Sequence, residues 1–244
     1  DVDAPQPWMA TEFVDGPSLA EAVAEGPLDR NSVLAIAAGT AQALSDIHTA
    51  GVIHRDLKPS NILLTETGPR IVDFGIARAA DQTTVTTTGT VLGSPAFLSP
   101  EAITAPDSVG PAADLYAVGA VAYYLLTGEA VFEGATVVEV CGHHVHSQPE
   151  PPSLRLGQSL DEKLESIVLG CLAKDPAERP PSARELRHHF GRLPDANQWS
   201  EMKARAWWER EREQLDSALP SKTSNASIRS ATFSVPMTEL SELN

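Results

Sequence analysis

Cysteine and aromatic residues are scarce in this chain of 244 residues. It contains only two cysteines, Cys141 and Cys171, and aromatic residues make up 5% of the composition. Two cysteines do not form a disulfide framework, so we expect a reducing, cytoplasmic environment. The longest apolar run, Leu115–Leu126, falls short of the roughly 20 residues that span a bilayer. We therefore predict no membrane segment within the chain.

Positive charge is also in short supply. The chain has 18 Lys and Arg residues against 33 Asp and Glu residues, which gives a net charge of −15. This balance argues against nucleic acid or an acidic membrane as the main partner. The length allows one large domain or two small ones, and the apolar residues, at 42%, are enough to form a core. The chain does not begin with methionine, so we expect a fragment or a processed product.

Local patterns predict a mostly helical protein with a few short strands. Residues 8–14 have the composition of a strand that runs into a turn, and the runs "NILL" and "RIVDF" predict a hairpin. Apolar residues at helical spacing predict helices over 31–50, 114–126, about 136–145, about 160–173 and 182–193. Three Ser–Glu pairs at a spacing of three predict capping boxes: Ser18 with Glu21, Ser159 with Glu162 and Ser182 with Glu185. These elements indicate the α+β class.

Two regions differ in composition from the rest. Residues 79–95 are polar, rich in threonine and without periodicity, which predicts a long exposed loop, and loops of this length are usually functional. After Pro194, residues 199–216 are charged and helix-prone, whereas residues 217–244 are rich in Ser and Thr and predict disorder. We therefore divide the chain into a domain over 1–193 and a tail over 194–244.

Three motifs follow one another along the domain. They are "HRDLKPSN" at 54–61, "DFG" at 73–75 and "SPE" at 99–101. Their order and spacing match the motifs of protein kinases, in which the third usually reads A-P-E. From about Trp8 to Leu193, the chain resembles the catalytic domain of the eukaryotic-like Ser/Thr protein kinases of bacteria.

The resemblance implies a kinase-like fold, reduced mainly to the helical C-lobe with one hinge strand and a small β-hairpin. It implies transfer of the γ-phosphate of ATP, with Mg²⁺ or Mn²⁺, to Ser and Thr hydroxyls of protein substrates. It also implies signalling in the cytoplasm and self-association for autophosphorylation, with no nucleic-acid partner.

Four residues of these motifs would carry the chemistry. Phosphoryl transfer depends on positioning and on neutralising charge. Asp73 and Asn61 offer the oxygen ligands that suit Mg²⁺. Asp56 would receive the proton of the substrate hydroxyl, and Lys58 would lie beside the transferring phosphoryl group. The alternative for Asp56 and Asp73, two loop carboxylates that stabilise turns, is disfavoured because both motifs are intact.

A second group would bind the nucleotide. The stretch "MATEFVDGPSL" resembles the end of the fifth strand of the family and its hinge. Thr11 would then be the gatekeeper, the backbones of Glu12 and Val14 would bond adenine, and Ser18 would lie near the ribose. Leu63 would form the floor of the adenine site. An ordinary edge strand and turn is the alternative.

A third group would support the site. Arg55 resembles the arginine that binds a phosphorylated activation loop, although it could pair with any nearby carboxylate. Asp114, at the start of the buried helix, would accept N–H groups of the catalytic loop, a role compatible with that of an N-cap. Arg179 and Glu101 would form a buried ion pair.

The loop between "DFG" and "SPE" holds the candidate phosphorylation sites. It contains Thr83, Thr84, Thr86, Thr87, Thr88 and Thr90. Kinases keep their regulatory phosphosites in this loop. Thr86, Thr87 and Thr88 are the better candidates, because Thr90 is close to Ser94, which resembles a substrate-facing residue. A threonine-rich loop without regulatory function is the alternative.

One cluster of potential metal ligands lies elsewhere in the sequence. Cys141, His143, His144 and His146 fall mostly within one turn of a helix end, and no second cluster matches them. A histidine before a proline-rich stretch is common here in related kinases, so we favour that interpretation over a metal site.

The sequence also lacks motifs that phosphate transfer needs. It contains neither G-x-G-x-x-G nor V-A-I-K, the two motifs that cover and bind the ATP phosphates. The first hypothesis is therefore a fragment of an active Ser/Thr kinase, inactive alone. The second is a non-catalytic binding or scaffold module made from a C-lobe.

Overall fold

The protein is described by a computed structural model, which covers residues 12–24, 26–73 and 95–194. Two antiparallel strands, β1 (Ile62–Thr65) and β2 (Gly68–Ile71), form a hairpin. The α-helices of the described residues are α1 (Leu19–Ala22), α2 (Arg30–Thr49), α3 (Pro100–Thr104), α4 (Pro111–Thr127), α5 (Val137–His146), α6 (Pro152–Leu156), α7 (Glu162–Cys171) and α8 (Ala183–Gly191). The fold belongs to the predicted α+β class and is dominated by helices. None of the helices in the described ranges is long and apolar enough to cross a membrane.

Helix α4 is the centre of the core. Most of its side chains are buried, so it is apolar around nearly its whole circumference, as a central helix must be. Helices α2 and α7 pack directly against it. Gly119 allows α7 to come close, since a Cβ at this position would lie 2.6 Å from Cys171 Cβ. The helix ends at Gly128, whose φ of 76° is favourable for glycine.

Helix α2 connects the base of the molecule to the hairpin. Its N-cap, Asp29, accepts hydrogen bonds from the backbone N–H groups of Asn31 and Ser32, an arrangement that stabilises a helix by about 1 kcal/mol. Apolar residues at helical spacing are buried against α4 and α8. Gly39 of α2 lies against Pro69 of β2, so the hairpin is seated on this helix.

The hairpin has one buried face and one half-buried face. Ile62 and Leu64 are buried, whereas Leu63 between them is only half-buried, as the alternation of side chains along a strand requires. The hinge segment joins the hairpin through two contacts. Leu64 N donates to Pro17 O at 2.8 Å, and Ser18 forms an isolated bridge with Leu63. Residues 12–14, predicted as the end of a strand, have no strand structure.

Two predicted helix starts were wrong. The buried helix begins at Pro111, with Gly110 as its N-cap, so Asp114 lies in its first turn and is not its cap. Proline is readily accepted at the first helical position. Helix α7 begins at Glu162, and its N-cap is Asp161, whose carboxylate accepts two backbone N–H groups. This excludes the box predicted for Ser159 and Glu162.

Of the other two predicted capping boxes, one is complete and the other has only one of its two hydrogen bonds. Ser18 and Glu21 form a complete capping box at α1. Ser182 caps α8 by accepting a hydrogen bond from Glu185 N.

Candidate active site

The segment 54–61, called here the catalytic loop, is fixed to the strand that precedes Asp73. His54 is fully buried. Its Nε2 lies 3.0 Å from Val72 O, and its Nδ1 lies 3.4 Å from the N–H of Asp56. Because Nδ1 accepts from a backbone N–H, Nε2 carries the proton and donates to the carbonyl. His54 thus links the backbones beside the two candidate catalytic aspartates.

The backbone of the catalytic loop is held in an unusual conformation at Arg55. This residue has a φ of 65°, in the left-handed region that costs L-residues about 1–2 kcal/mol. The buried carboxylate of Asp114 accepts hydrogen bonds from the N–H groups of His54 and Arg55, both at 2.9 Å. A charged acceptor with two backbone donors can offset that cost. These are the contacts that the resemblance assigns to Asp114.

His48 is a third partner of the same carboxylate. Its Nε2 lies 2.7 Å from Asp114 Oδ2, and the Asp114 side chain is only 1% exposed. Sequence reasoning missed this function, because His48 resembles any other residue on the inner face of α2. The role of His48 is evident only from its contact with Asp114, which lies 66 positions away in the sequence.

The side chains of the catalytic loop converge on Asp56. Lys58 Nζ donates to Asp56 Oδ2 at 2.8 Å. Asn61 Nδ2 donates to the Asp56 backbone carbonyl at 2.9 Å and to Oδ2 at 3.3 Å. The turn Pro59–Asn61 is a short 3-10 helix, which brings Asn61 back over Asp56. Three of the predicted catalytic residues therefore lie in direct contact.

The fourth, Asp73, is joined to this group through Val72. Val72 N donates to Asn61 O at 2.9 Å, and Val72 O faces His54. Asp73 itself is exposed and has a φ of 54°. In the described part of the chain, Arg55 and Asp73 are the only residues other than glycine with positive φ. Strained backbone of this kind concentrates at functional sites.

The residues present fit a divalent cation of the Mg²⁺ type. Asp73 offers an exposed carboxylate. The amide nitrogen of Asn61 is anchored on Asp56. Among the described residues, its Oδ1 accepts only a long contact of 3.4 Å from Ser60 Oγ. One carboxylate and one amide oxygen are a typical protein contribution to a Mg²⁺ that keeps several waters.

The predicted nucleotide residues lie around the hinge and the hairpin. Leu63 is half-buried and forms a β-bridge with Ser18, next to the hinge. Glu12 is exposed and Val14 is half-buried, and both line an open cavity of about 270 Å³ between the hinge and the hairpin turn. The Ser18 hydroxyl is bonded to Glu21 in the α1 cap and the residue is buried. The binding roles of these residues remain predictions.

A small pocket lies directly beside Asp56. Its volume is about 20 Å³, and the catalytic loop forms one side of it. Phe97, Leu98 and Ser99 also line it, so this segment lies beside Asp56 in the same pocket.

Below the pocket, Arg179 and Glu101 form a bidentate ion pair. Nη1 lies 2.6 Å from Oε1, and Nη2 lies 2.8 Å from Oε2. Backbone carbonyls accept the remaining N–H groups of the guanidinium: Ala112, Ala173 and Lys174. The Arg179 side chain has no exposed surface. This full satisfaction is what a buried charge requires.

Several predictions concern residues outside the described ranges. They are Thr11, Phe74, Gly75, Thr86, Thr87, Thr88, Thr90 and Ser94, together with the tail after Pro194. The metal alternative for Cys141 and its neighbouring histidines finds no support, since no group of three potential ligands with metal-binding geometry occurs in the described ranges.

The fold and the catalytic loop define a protein kinase domain. The family model described as "Protein kinase domain" matches residues 3–190, and the chain belongs to this family.

Within the family, the chain is similar to several bacterial Ser/Thr kinases. The chain is 42% identical over 200 residues to the serine/threonine-protein kinase PknB of Mycobacterium leprae, covering 79% of this chain and 32% of that protein. It is 40% identical over 187 residues to the probable serine/threonine-protein kinase PkwA of Thermomonospora curvata, covering 76% and 24%. It is 38% identical over 222 residues to AfsK of Streptomyces griseus, covering 87% and 27%. The chain thus spans about a quarter to a third of the length of these relatives.

Proposed function

We propose that the protein takes part in transfer of the γ-phosphoryl group of ATP to Ser or Thr hydroxyls of proteins. The observation that carries this proposal is the convergence of Lys58 and Asn61 on Asp56, with Asp73 joined to them through His54 and Val72. Loop carboxylates that only stabilise turns would not need a buried histidine and a buried Asp114 to hold their backbone.

Asp56 acts as the proton acceptor in this proposal. As the substrate oxygen forms its bond to the γ-phosphorus, the bond from phosphorus to the bridging oxygen breaks and ADP leaves. Asp56 takes the hydroxyl proton. Lys58 holds Asp56 through Oδ2 and adds positive charge near the transferring group.

Asn61 and Asp73 would hold Mg²⁺ or Mn²⁺. A cation held there would neutralise negative charge on the phosphate oxygens. His54 fixes the backbone that precedes Asp73, so that its carboxylate keeps its place relative to Asp56. Leu63, the Ser18 region and the backbones of Glu12 and Val14 would take the adenosine part of ATP.

The partners follow from this chemistry. They are proteins with exposed Ser or Thr, and a second copy of the chain for autophosphorylation, in the cytoplasm. The regulatory phosphate would be placed on Thr86, Thr87 or Thr88 and bound by Arg55, because a phosphothreonine adds nearly two negative charges and strong acceptors. Mass spectrometry of the active protein should locate phosphate within residues 83–90.

The sequence lacks G-x-G-x-x-G and V-A-I-K, so the proposal is tested by comparing the chain alone with a form that is supplied with both motifs. The 244-residue chain alone should transfer no more radiolabelled phosphate than its Asp56→Asn variant. Joined to an upper lobe that carries both motifs, it should phosphorylate protein substrates. In that form Asp56→Asn should lower the rate by about 10²–10⁴-fold, as expected for loss of a general base. An inactive joined protein with intact folding would instead favour the non-catalytic binding module.

A further inference from the structure

Tyr116 and His144 form a buried polar pair that the proposed catalytic chemistry does not use. Both residues are fully buried, and the Tyr116 hydroxyl lies 2.8 Å from His144 Nδ1. Tyr116 belongs to α4 and His144 to α5, so the pair joins the core helix to its neighbour. Buried polar groups of this kind are kept where they specify a conformation.

The direction of this hydrogen bond can be assigned. Burial raises the pKa of Tyr116, so its hydroxyl keeps its proton and donates it. Burial, reinforced by the Lys174 charge, lowers the pKa of His144 to about 4, so the ring is neutral near pH 7. A neutral ring that accepts at Nδ1 carries its proton on Nε2.

The His144 ring lies near the turn Pro95–Phe97, which leads into the residues that line the pocket beside Asp56. The backbone of Ala96 interacts with the His144 ring, and because Tyr116 occupies Nδ1, we assign this interaction to Nε2. Among the described residues Nε2 has no hydrogen-bond partner of ordinary geometry, so this is a contact and not a hydrogen bond. Ala96 lies in the turn Pro95–Phe97, which packs on both α4 and α5.

Residues 95–99, called here the pocket wall, are therefore held at both ends. At the first end, Ala96 rests on His144, and the Phe97 ring meets Tyr124 edge-on at 6.1 Å. At the second end the chain continues directly into α3, whose Glu101 is bound by Arg179. The guanidinium of Arg179 lies 5.0 Å above the Tyr116 ring, so both supports meet on Tyr116.

Lys174 fixes the helix that carries His144. Its Nζ donates to the His144 carbonyl at 2.7 Å and lies 4.5 Å from the centre of the Phe132 ring. A cation at the carbonyls of the last turn stabilises a helix end. The position of His144 relative to Ala96 is thereby set from the α5 backbone as well as from Tyr116.

We propose that Tyr116 and His144 are positioning residues for the pocket wall, and that they determine how tightly a Ser- or Thr-containing peptide is held beside Asp56. This inference rests on the proposed function, because only a substrate hydroxyl gives the wall a role. It concerns affinity for the protein substrate, and we expect ATP binding to be unaffected.

The chain offers a matched control for testing the hydrogen bond. Tyr123 is also fully buried on α4, but its hydroxyl has no hydrogen-bond partner among the described residues. Tyr116→Phe and Tyr123→Phe therefore remove the same atom from the same helix, and only the first removes a bond.

Hydrogen–deuterium exchange of the 244-residue chain tests the positioning without requiring activity. Tyr116→Phe should speed exchange of the amides at 96–99 by about three- to tenfold, the effect of one hydrogen bond, and Tyr123→Phe by less than about twofold. His144→Gln, which keeps an N–H near the Nε2 position, should have a smaller effect than His144→Leu. Equal effects of the two Tyr variants, or none from Tyr116→Phe, would overturn the positioning role.

The effect on peptide affinity is tested by enzyme kinetics of the chain joined to an upper lobe. Tyr116→Phe should raise KM for the peptide by about three- to tenfold, with kcat and KM for ATP within about twofold. A lower kcat at unchanged peptide KM would overturn the role of Tyr116 and His144 in substrate binding. If the unsubstituted protein transfers no phosphate, the proposed function and the substrate part fail together, while the exchange result still decides the positioning role.

Discussion

The catalytic loop and the helical base beneath it, formed by α4, α7 and α8, keep their shapes in different ways. The base consists of apolar side chains at helical spacing, buried against one another. The loop has a strained residue, Arg55, and a set of side chains that converge on Asp56. Its conformation is over-determined by polar contacts instead of by packing alone.

The loop nevertheless depends on the base. The carboxylate that holds its backbone, Asp114, is in the first turn of α4, and His48, which binds that carboxylate, is in α2. Arg179 and Glu101 anchor the pocket wall in the same way, from below. The chemistry is thus encoded in short motifs, and its supports are spread over helices that look ordinary in sequence.

The largest expected effect is on stability and comes from the ion pair at the boundary between the two regions. Arg179→Ala leaves the Glu101 carboxylate without its partner in a largely buried position, at a cost of about 3–5 kcal/mol in the free energy of unfolding. Arg184 is exposed and has no ion-pair partner in the described part of the chain, so Arg184→Ala is the control and should cost less than about 0.5 kcal/mol. Urea denaturation measures both, and equal losses would refute the role of the pair.

The second effect is a pH dependence of stability that comes from His144 of α5, which is bonded to Tyr116 of the core helix α4. Since the pKa of His144 is lowered to about 4 by burial and by Lys174, the unfolded state binds more protons than the folded state between about pH 6.5 and 4. Stability is therefore full above pH 6.5 and falls as the pH falls through this window. The loss attributable to His144 reaches about 3 kcal/mol.

The groups around the His144 ring favour a lowered pKa. Tyr116 donates to it, while Lys174 and His143 oppose a second positive charge. His144→Gln should lose less stability than the unsubstituted protein between pH 7 and 4.5, whereas the exposed His188→Gln should behave like the unsubstituted protein. Parallel pH curves for all three proteins, measured by urea denaturation, would contradict a buried neutral His144.

Sequence reasoning succeeded where a pattern is local. The motifs located the catalytic loop, the period of α2 and α4 located the core helices, and the capping box at Ser18 was confirmed. It erred at the starts of α4 and α7, because a proline or an aspartate two or three residues away formed a better terminus. Such choices among neighbouring caps differ by only about 1 kcal/mol.

Long-range polar partners were harder to predict. The link from Arg179 to Glu101 came only from resemblance to the family. The contacts of His48 with Asp114 and of Tyr116 with His144 bridge 66 and 28 positions, and neither residue departs from the pattern of its helix. No local signal distinguishes a buried histidine with a defined partner from one that simply fills the core.

The third prediction concerns His48, which belongs to a packed helix but acts on the loop. His48→Leu removes one of three donors to the buried Asp114 carboxylate. Because a hydrogen bond to a charged group contributes about 1.5–3 kcal/mol, the free energy of unfolding should fall by about that amount. Exchange of the His54 and Arg55 amides should rise as well, because their acceptor is less firmly held. His146→Leu, at an exposed position of α5, is the control. Unchanged exchange at 54 and 55 would show that His48 only fills space.

The smallest expected effect tests the packing of the base itself. At Gly119 a Cβ would lie 2.6 Å from Cys171 Cβ and 3.2 Å from the Val168 carbonyl oxygen, so Gly119→Ala must push α4 and α7 apart. Overpacking costs about 1–3 kcal/mol, and replacing a helical glycine by alanine returns up to about 1 kcal/mol, which leaves a net loss near 1 kcal/mol. Gly142 in α5 has open space where its Cβ would be, so Gly142→Ala should gain up to about 1 kcal/mol. The two substitutions are chemically identical and should move the urea midpoint in opposite directions. A shift in the same direction for both would mean that helix propensity, and not the contact between α4 and α7, decides stability at Gly119.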